Sequence, residues 1–119
     1  MKKLFGKDFF GKDNCLKAYL NSDLDFFFEF GKKNGDSWSW KKVKMSDLEL
    51  GEIILVLEDR KKSVAFFHNF NGDKTQIWVN RDKFFFIKVR EISKSLGDGE
   101  QVVLRELLRH SVIRMNMFI

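Results

Sequence analysis

The chain of 119 residues contains no proline, one cysteine and two histidines. The lack of proline excludes a collagen-like chain or a proline-rich linker. A single cysteine, Cys15, cannot form an intramolecular disulfide, so a disulfide scaffold is excluded and an intracellular protein is expected. The longest aliphatic run, residues 53–57, is far too short to span a bilayer. The apolar stretch after the basic start of the chain is interrupted by Gly6, Lys7 and Asp8, so no signal peptide is predicted.

Motifs for catalysis and for metal binding are also missing from the sequence. There is no Cys/His ligand spacing, no glycine-rich phosphate loop and no nucleophile elbow. His68 and His110 are each expected to have a hydrogen-bonded structural role. The acidic residues between Asp47 and Asp59 are expected to be solvated charges around a helix. We therefore predict a protein that is not an enzyme and that needs no cofactor or metal.

The charge and the hydrophobic content point to a compact basic domain. Lys and Arg number 22 against 17 Asp and Glu, which gives a net charge of +5 and favours anionic partners such as nucleic acid. A chain of this length buries roughly two thirds of the surface that its unfolded form exposes. One domain over residues 1–119 is expected, with flexibility only in residues 1–12.

Two series of strands, each followed by a helix, are predicted from the hydrophobic pattern. The strands are expected at residues 15–20, 25–32 and 37–45, and again at 63–69, 75–80 and 83–91. Hairpin turns are predicted at Asn34-Gly35-Asp36 and Asn71-Gly72-Asp73, because Asn and Gly tolerate positive φ. This order predicts an α+β fold of two sheets, each backed by one helix.

Both predicted helices have an N-terminal signal and an apolar stripe. The first is expected to begin at Ser46, which forms a capping box with Glu49. Its second apolar face, at Leu55 and Val56, indicates that it is covered from both sides, for example by another subunit. The second helix is expected to begin at Asp98, followed by Gln101. The residues assigned to the core are Leu50, Ile53, Leu57, Phe66, Phe67, Leu104 and Leu107.

Runs of consecutive phenylalanines are the most informative feature of the composition. The runs at residues 26–28, 66–67 and 84–86 place aromatic rings on both faces of their strands, because neighbouring strand residues point to opposite sides. One face can be the core, and the other must be covered or bind a ligand. Aromatic faces beside cations suit single-stranded nucleic acid, whose bases stack and whose phosphates need neutralising. The alternative is that the Phe residues are core and the lysines are solvated; for Trp38 and Trp40 the two interpretations weigh equally.

Two segments resemble the Whirly family of single-stranded DNA-binding proteins. Lys44-Met45-Ser46-Asp47-Leu48-Glu49-Leu50-Gly51-Glu52-Ile53, preceded by Trp38 and Trp40, is similar to the fourth strand and first helix of that family. Ser63-Val64-Ala65-Phe66-Phe67-His68-Asn69-Phe70 is similar to the strand that follows. The resemblance implies two antiparallel sheets packed crosswise, a tetramer built through the helices, and single-stranded DNA lying along the sheets. Trypanosome guide-RNA-binding proteins share this fold.

The leading hypothesis is a homo-oligomeric single-stranded DNA-binding protein with little sequence preference. The alternatives are a protein that binds or anneals single-stranded RNA, and a protein-interaction module whose aromatics bind a protein partner. The residues predicted to contact nucleic acid are Lys17, Tyr19, Lys32, Lys33, Trp38, Trp40, Lys41, Lys42, Lys44, Trp78, Arg81, Lys83 and Lys88.

Overall fold

The computed structural model describes residues 2–117, which form two antiparallel four-stranded sheets and two helices. Sheet A consists of β1 (Lys3–Phe10), β2 (Asn14–Asn21), β3 (Phe26–Asn34) and β4 (Ser37–Met45), in that order. Helix α1 (Asp47–Leu57) follows it. Sheet B consists of β5 (Ser63–Phe70), β6 (Asp73–Arg81), β7 (Phe85–Val89) and β8 (Ile92–Leu96), followed by α2 (Asp98–Asn116). The predicted α+β fold, with a helix after each sheet, is confirmed.

Local signals account for the main boundaries. The turn between β3 and β4 has Gly35 at φ 65°, and the turn between β5 and β6 has Asn71 at 52° and Gly72 at 83°. The Ser46 hydroxyl accepts a hydrogen bond from the Glu49 amide at 3.2 Å, and a Glu49 carboxylate oxygen accepts one from the Ser46 amide at 2.9 Å. The two predicted turns and the predicted capping box are therefore confirmed.

Two strands were not predicted. Residues 1–12, expected to be flexible, include β1, which pairs with β2 along the edge of sheet A. The strand predicted over residues 83–91 ends earlier, because Arg90 adopts a φ of 52° and turns the chain back as β8. The prediction missed this turn because its tight bend contains neither Gly, Pro nor Asn.

The start of α2 also differs from the expectation. The N-cap residue is Gly97, not Asp98, and the Glu100 carboxylate accepts a hydrogen bond from the Gly97 amide at 2.9 Å. Gln101 instead donates its side-chain amide to the carbonyl of Leu96 at 2.9 Å. Gly97 has no side chain with which to cap, so the contact from Glu100 fixes this helix end. Neither helix among residues 2–117 is long and apolar enough to cross a membrane.

One hydrophobic core joins both sheets and both helices. It contains alternate residues of each strand, such as Phe26, Phe28 and Phe85, together with Leu50 of α1 and Leu104 of α2. Burial of side chains of this size contributes about 1.5–3 kcal/mol each. Strand β8 contacts β2 and β3, so the inner faces of the two sheets enclose this core. Their outer faces consequently point to opposite sides of the molecule.

The remaining core predictions can now be compared with the burial of each side chain. Leu50, Ile53, Leu57 and Leu104 are buried. Phe66 and Leu107 are partly buried and pack against the core, also as predicted. Phe67 was wrongly assigned to the core, because its neighbour Phe66 takes the inward position and leaves Phe67 79% exposed.

Candidate nucleic-acid interface

Two tryptophans dominate the outer face of sheet A. Trp38 and Trp40 lie two residues apart on β4, so both point outward, and their rings stack at 5.7 Å between centroids with an interplanar angle of 21°. They are 39% and 44% exposed. The Trp40 ring lies over Gly31 of β3, where an added Cβ would come within 2.6 Å of the ring. Glycine at position 31 thus lets the indole lie flat on the sheet.

Lysine ammonium groups lie over the aromatic rings of the same face. The Lys17 Nζ is 4.7 Å from the centroid of a Trp40 ring, and the Lys42 Nζ is 4.3 Å from the centroid of Phe27. Within residues 2–117, neither lysine has a carboxylate at salt-bridge distance. We call Lys17, Phe27, Trp38, Trp40 and Lys42 the aromatic–lysine surface.

Tyr19 lies beside this surface but is buried. Its hydroxyl donates a hydrogen bond to the Glu29 carboxylate, and the Lys3 Nζ lies 4.2 Å from the centroid of its ring. Burial, and secondly the hydrogen bond to Glu29, raise the pKa of Tyr19. The phenol therefore stays neutral and holds the one carboxylate that lies between Lys17 and Lys42 in the sheet register.

A groove of about 600 Å³ runs from β4 to the hairpin of β5 and β6. Its lining includes Phe27, Lys41, Lys42, Lys44, His68 and Phe70. The Lys41 ammonium contacts the Asp73 carboxylate at 2.8 Å, and Arg90 donates to the same carboxylate at 2.7 Å. The hydrogen bond from Lys41 lowers the pKa of Asp73. The Lys44 Nζ lies 3.2 Å from a carboxylate oxygen of Asp25.

The two histidines have neighbours within the fold. The Nε2 atom of His68 lies 2.6 Å from a Glu49 carboxylate oxygen. The same carboxylate caps α1, so this contact fastens β5 to the start of the helix. It also joins the two segments that resemble the Whirly family. The ring of His110 packs edge-on against Phe5 at 4.9 Å between centroids.

The predicted residues of sheet B fall into separate places. Trp78 and Lys88 are paired in register on the outer face, with the Lys88 Nζ 5.9 Å from the centroid of the Trp78 ring. This face lies on the opposite side of the core from the aromatic–lysine surface. Lys83 is exposed in the loop between β6 and β7.

Arg81 lies on neither outer sheet face, and its side chain contacts the two helices. Its Nε donates to the carbonyl of Val56 at 2.9 Å, and its Nη2 donates to the carbonyl of Leu57 at 3.2 Å and to the side chain of Gln101. The guanidinium therefore satisfies carbonyls at the end of α1, a position that the sequence pattern did not reveal. The proximity of Arg81 in sequence to the Phe run at residues 84–86 was misleading, because Arg81 points inward from β6.

The remaining predicted lysines lie near the turn of the β3–β4 hairpin. Lys33 is exposed and paired in register with Trp38, so it borders the aromatic–lysine surface. Lys32 is half-buried and paired with Ser39. Because neighbouring strand residues alternate between faces, Lys32 lies on the opposite face of sheet A from Lys33. The structure thus brings Lys17, Trp38, Trp40 and Lys42 together with Lys33 at their margin.

Phe27 and Phe67 were not among the predicted contact residues, although hairpin register identifies them. The turn at residues 34–36 pairs Asn34 with Ser37, which by counting back places Phe27 opposite Lys44 on the outer face. The turn at residues 71–73 pairs Phe66 with the buried Ile77 in the same way, which leaves Phe67 outside. Among residues 2–117, no group of three or more His, Cys, Asp or Glu side chains could hold a metal ion.

Comparison with known proteins finds similarity in structure but not in sequence. No protein-family model matches the chain, and no curated protein matches it. A chain from the crystal structures of the Trypanosoma brucei proteins MRP1/MRP2 superposes with a TM-score of 0.59 at 12% identity, covering 92% of this chain and 83% of that one. The chain therefore shares the fold of that trypanosome protein.

Proposed function

We propose that this chain is a non-enzymatic protein that binds single-stranded DNA with little sequence preference. The observation that carries the proposal is the aromatic–lysine surface. It combines two stacked, exposed indole rings with two ammonium groups that no carboxylate of the described chain neutralises at salt-bridge distance. The segments that resemble the Whirly family, residues 44–53 and 63–70, support DNA as the ligand.

The chemistry of this surface favours single strands over duplex. A base in a duplex is already stacked and paired, whereas a base in a single strand can lie against Trp38 or Trp40, and such stacking contributes about 1–3 kcal/mol per base. Lys17 and Lys42 can neutralise phosphates next to the stacked bases. Every base has an aromatic face, so contacts of this kind discriminate little between sequences.

Single-stranded RNA is the second candidate ligand. The structurally similar chain is a trypanosome protein, and trypanosome guide-RNA-binding proteins share the fold that the Whirly resemblance implies, so the common fold supports both nucleic acids. The two differ at the ribose 2′-hydroxyl, which only RNA offers for hydrogen bonding. Competition between DNA and RNA oligonucleotides of matched sequence distinguishes them.

We also propose that the chain acts inside the cell as a homo-oligomer, a tetramer assembled through its helices. Leu48 on α1 and Val102, Val103 and Ile113 on α2 are exposed apolar side chains. Apolar helix faces of this kind favour contact with further copies of the chain. Helix contacts of this kind would leave the aromatic–lysine surface open to nucleic acid.

Fluorescence anisotropy tests the proposed function most directly. A labelled single strand of about 30 nucleotides is titrated at several salt concentrations and compared with duplex DNA and with single-stranded RNA. We expect micromolar or tighter binding to the single strand, with log K falling against log salt by about 0.7 for each phosphate contacted. Absence of binding to either nucleic acid at low salt would contradict the proposal and favour a protein-interaction module.

A further inference from the structure

We infer that each chain carries two separate surfaces for single-stranded nucleic acid, one on the outer face of each sheet, and can hold two strands at once. This inference deepens the proposed function and rests on it. The first surface is the aromatic–lysine surface of sheet A. The second is formed by Phe67, Lys74, Trp78 and Lys88 on the outer face of sheet B, and we call it the sheet B surface.

The sheet B surface has the same chemistry as the first. Phe67 is 79% exposed and Trp78 is 37% exposed, although both are large apolar side chains on regular strands. The Lys88 ammonium lies 5.9 Å from the centroid of the Trp78 ring, as Lys17 lies near Trp40 on the other sheet. Rings for stacking and cations for phosphates are thus present on both faces.

The charges of the sheet B surface point to an anionic ligand. The outward positions of β5, β6, β7 and β8 carry Lys74 and Lys88 but no Asp or Glu, and their other polar residues are Ser, Asn and Gln. Within residues 2–117, neither Lys74 nor Lys88 forms an ion pair. A patch with cations and without carboxylates attracts anions, and its exposed aromatic rings add stacking that nucleic-acid bases match and an acidic protein surface does not.

The two surfaces cannot be parts of one short binding path. Both inner faces line the shared core, so the outer faces of the two sheets point away from it on different sides of the molecule. A strand long enough to cover one face would have to pass round a sheet edge to reach the other. A short oligonucleotide therefore occupies one surface only, and a second molecule can occupy the other.

Binding stoichiometry tests the inference. Isothermal titration calorimetry uses the full chain and an oligothymidylate of about six nucleotides, a length within the roughly 4–16 nucleotides that one OB-fold covers. We expect two equivalents per chain for the wild type. The double variants Trp40→Ala/Lys17→Ala and Trp78→Ala/Lys88→Ala should each bind one equivalent. Lys62→Ala, which removes an exposed lysine between α1 and β5, should still bind two.

The other outcomes are each decisive. One equivalent for the wild type, unchanged by Trp78→Ala/Lys88→Ala, overturns the second surface while the proposed function stands. Binding of one equivalent, with an affinity that both double variants weaken, indicates a single continuous path and also overturns the inference.

The oligomer and the fold of the variants are checked separately. If Trp78→Ala/Lys88→Ala loses oligomer mass but keeps its stoichiometry, the sheet B surface is a contact between copies instead. No binding of either oligothymidylate or oligouridylate, by calorimetry and by anisotropy, overturns both proposals together. The variants' circular dichroism and thermal midpoints verify folding, and Lys88→Arg, which keeps the cation, should retain two equivalents.

Discussion

Trp40 is the single residue on which the proposed binding depends most. Its ring is exposed, stacks on Trp38 and lies over Gly31, and Lys17 lies 4.7 Å from its centroid. We expect Trp40→Ala to weaken binding of single-stranded DNA by about 1–3 kcal/mol, because one stacking platform is lost. Anisotropy measures the affinity, and circular dichroism checks the fold. Trp40→Phe, which keeps an aromatic face, should lose less; a variant that unfolds would show that Trp40 is structural.

Asp73 limits the charge available in the groove between the sheets. Its carboxylate forms ion pairs with the ammonium of Lys41 and the guanidinium of Arg90. Without Asp73, both cations could contact a phosphate. We expect Asp73→Asn to raise the affinity for single-stranded DNA at low salt. The slope of log K against log salt should steepen by about 0.7 for each additional phosphate that the variant neutralises.

A second carboxylate provides the matched control for Asp73. Asp36→Asn changes the net charge equally, at the exposed turn between β3 and β4. Equal increases in affinity for both variants would mean that net charge alone acts, not the release of Lys41. Mild acid should not imitate Asp73→Asn, because Lys41 lowers the pKa of Asp73 in the folded chain. The stabilisation from this ion pair is present above the unfolded-state pKa of roughly 4 and is lost only as the pH falls through the lower folded-state value.

At the scale of secondary-structure elements, Arg81 links the end of α1 to β6 and α2. Helix α1 has no basic residue in its last turn, and Arg81 supplies donors to its carbonyls from a neighbouring strand. We expect Arg81→Lys to lower the free energy of unfolding by about 1–3 kcal/mol, because a single ammonium cannot replace the forked guanidinium. Urea titration measures this change. Arg60→Lys, at an exposed arginine, should have no such effect.

The same variant also tests the role in nucleic-acid binding that the sequence pattern predicts for Arg81. Where Arg81 is structural, the folded fraction of Arg81→Lys should bind single-stranded DNA as tightly as the wild type. Normal stability of the variant together with a clear loss of affinity for single-stranded DNA would instead show that Arg81 contacts the nucleic acid.

Elements with strong local signals were predictable from the sequence, and those set by edges or register were not. The capping box at Ser46 and the two glycine-containing turns are local, and all three are confirmed. Strand β1 was missed because only Phe9 among its residues is buried, so the alternation that identifies a strand is weak there. Strand β8 was missed because Arg90 makes the preceding turn without glycine.

In the candidate site, too, local sequence patterns identified some residues, whereas the positions of others depend on contacts between distant segments. Trp38 and Trp40 were singled out because their spacing places them on one strand face and because they lead into a lysine-rich segment, and both are exposed on one face. The Phe runs could not be divided into core and surface by alternation, because both faces of those strands are apolar. Pairing across the hairpins decides the matter for Phe27 and Phe67. The position of Arg81 depends on how α1 packs on sheet B, which no local pattern contains.

At the scale of the whole molecule, the proposed oligomer can be separated from nucleic-acid binding. Val102 and Ile113 lie on one stripe of α2, and both are exposed. Because the helices and the outer sheet faces are different parts of the surface, breaking helix contacts should leave binding per chain unchanged. Light scattering after size exclusion should give a mass about four times 14.1 kDa for the wild type.

The double variant Val102→Lys/Ile113→Lys should reduce that mass, because two ammonium groups would have to be buried at the contact. Ser22→Lys, in the exposed loop between β2 and β3, adds one positive charge away from the helices and should keep the wild-type mass. The smaller species should still bind oligothymidylate at both sheet surfaces, since neither includes a residue of α2. A wild-type mass of one chain at all concentrations would contradict the oligomer and leave the binding proposals intact. Loss of binding together with loss of mass would show instead that the strand is held between chains.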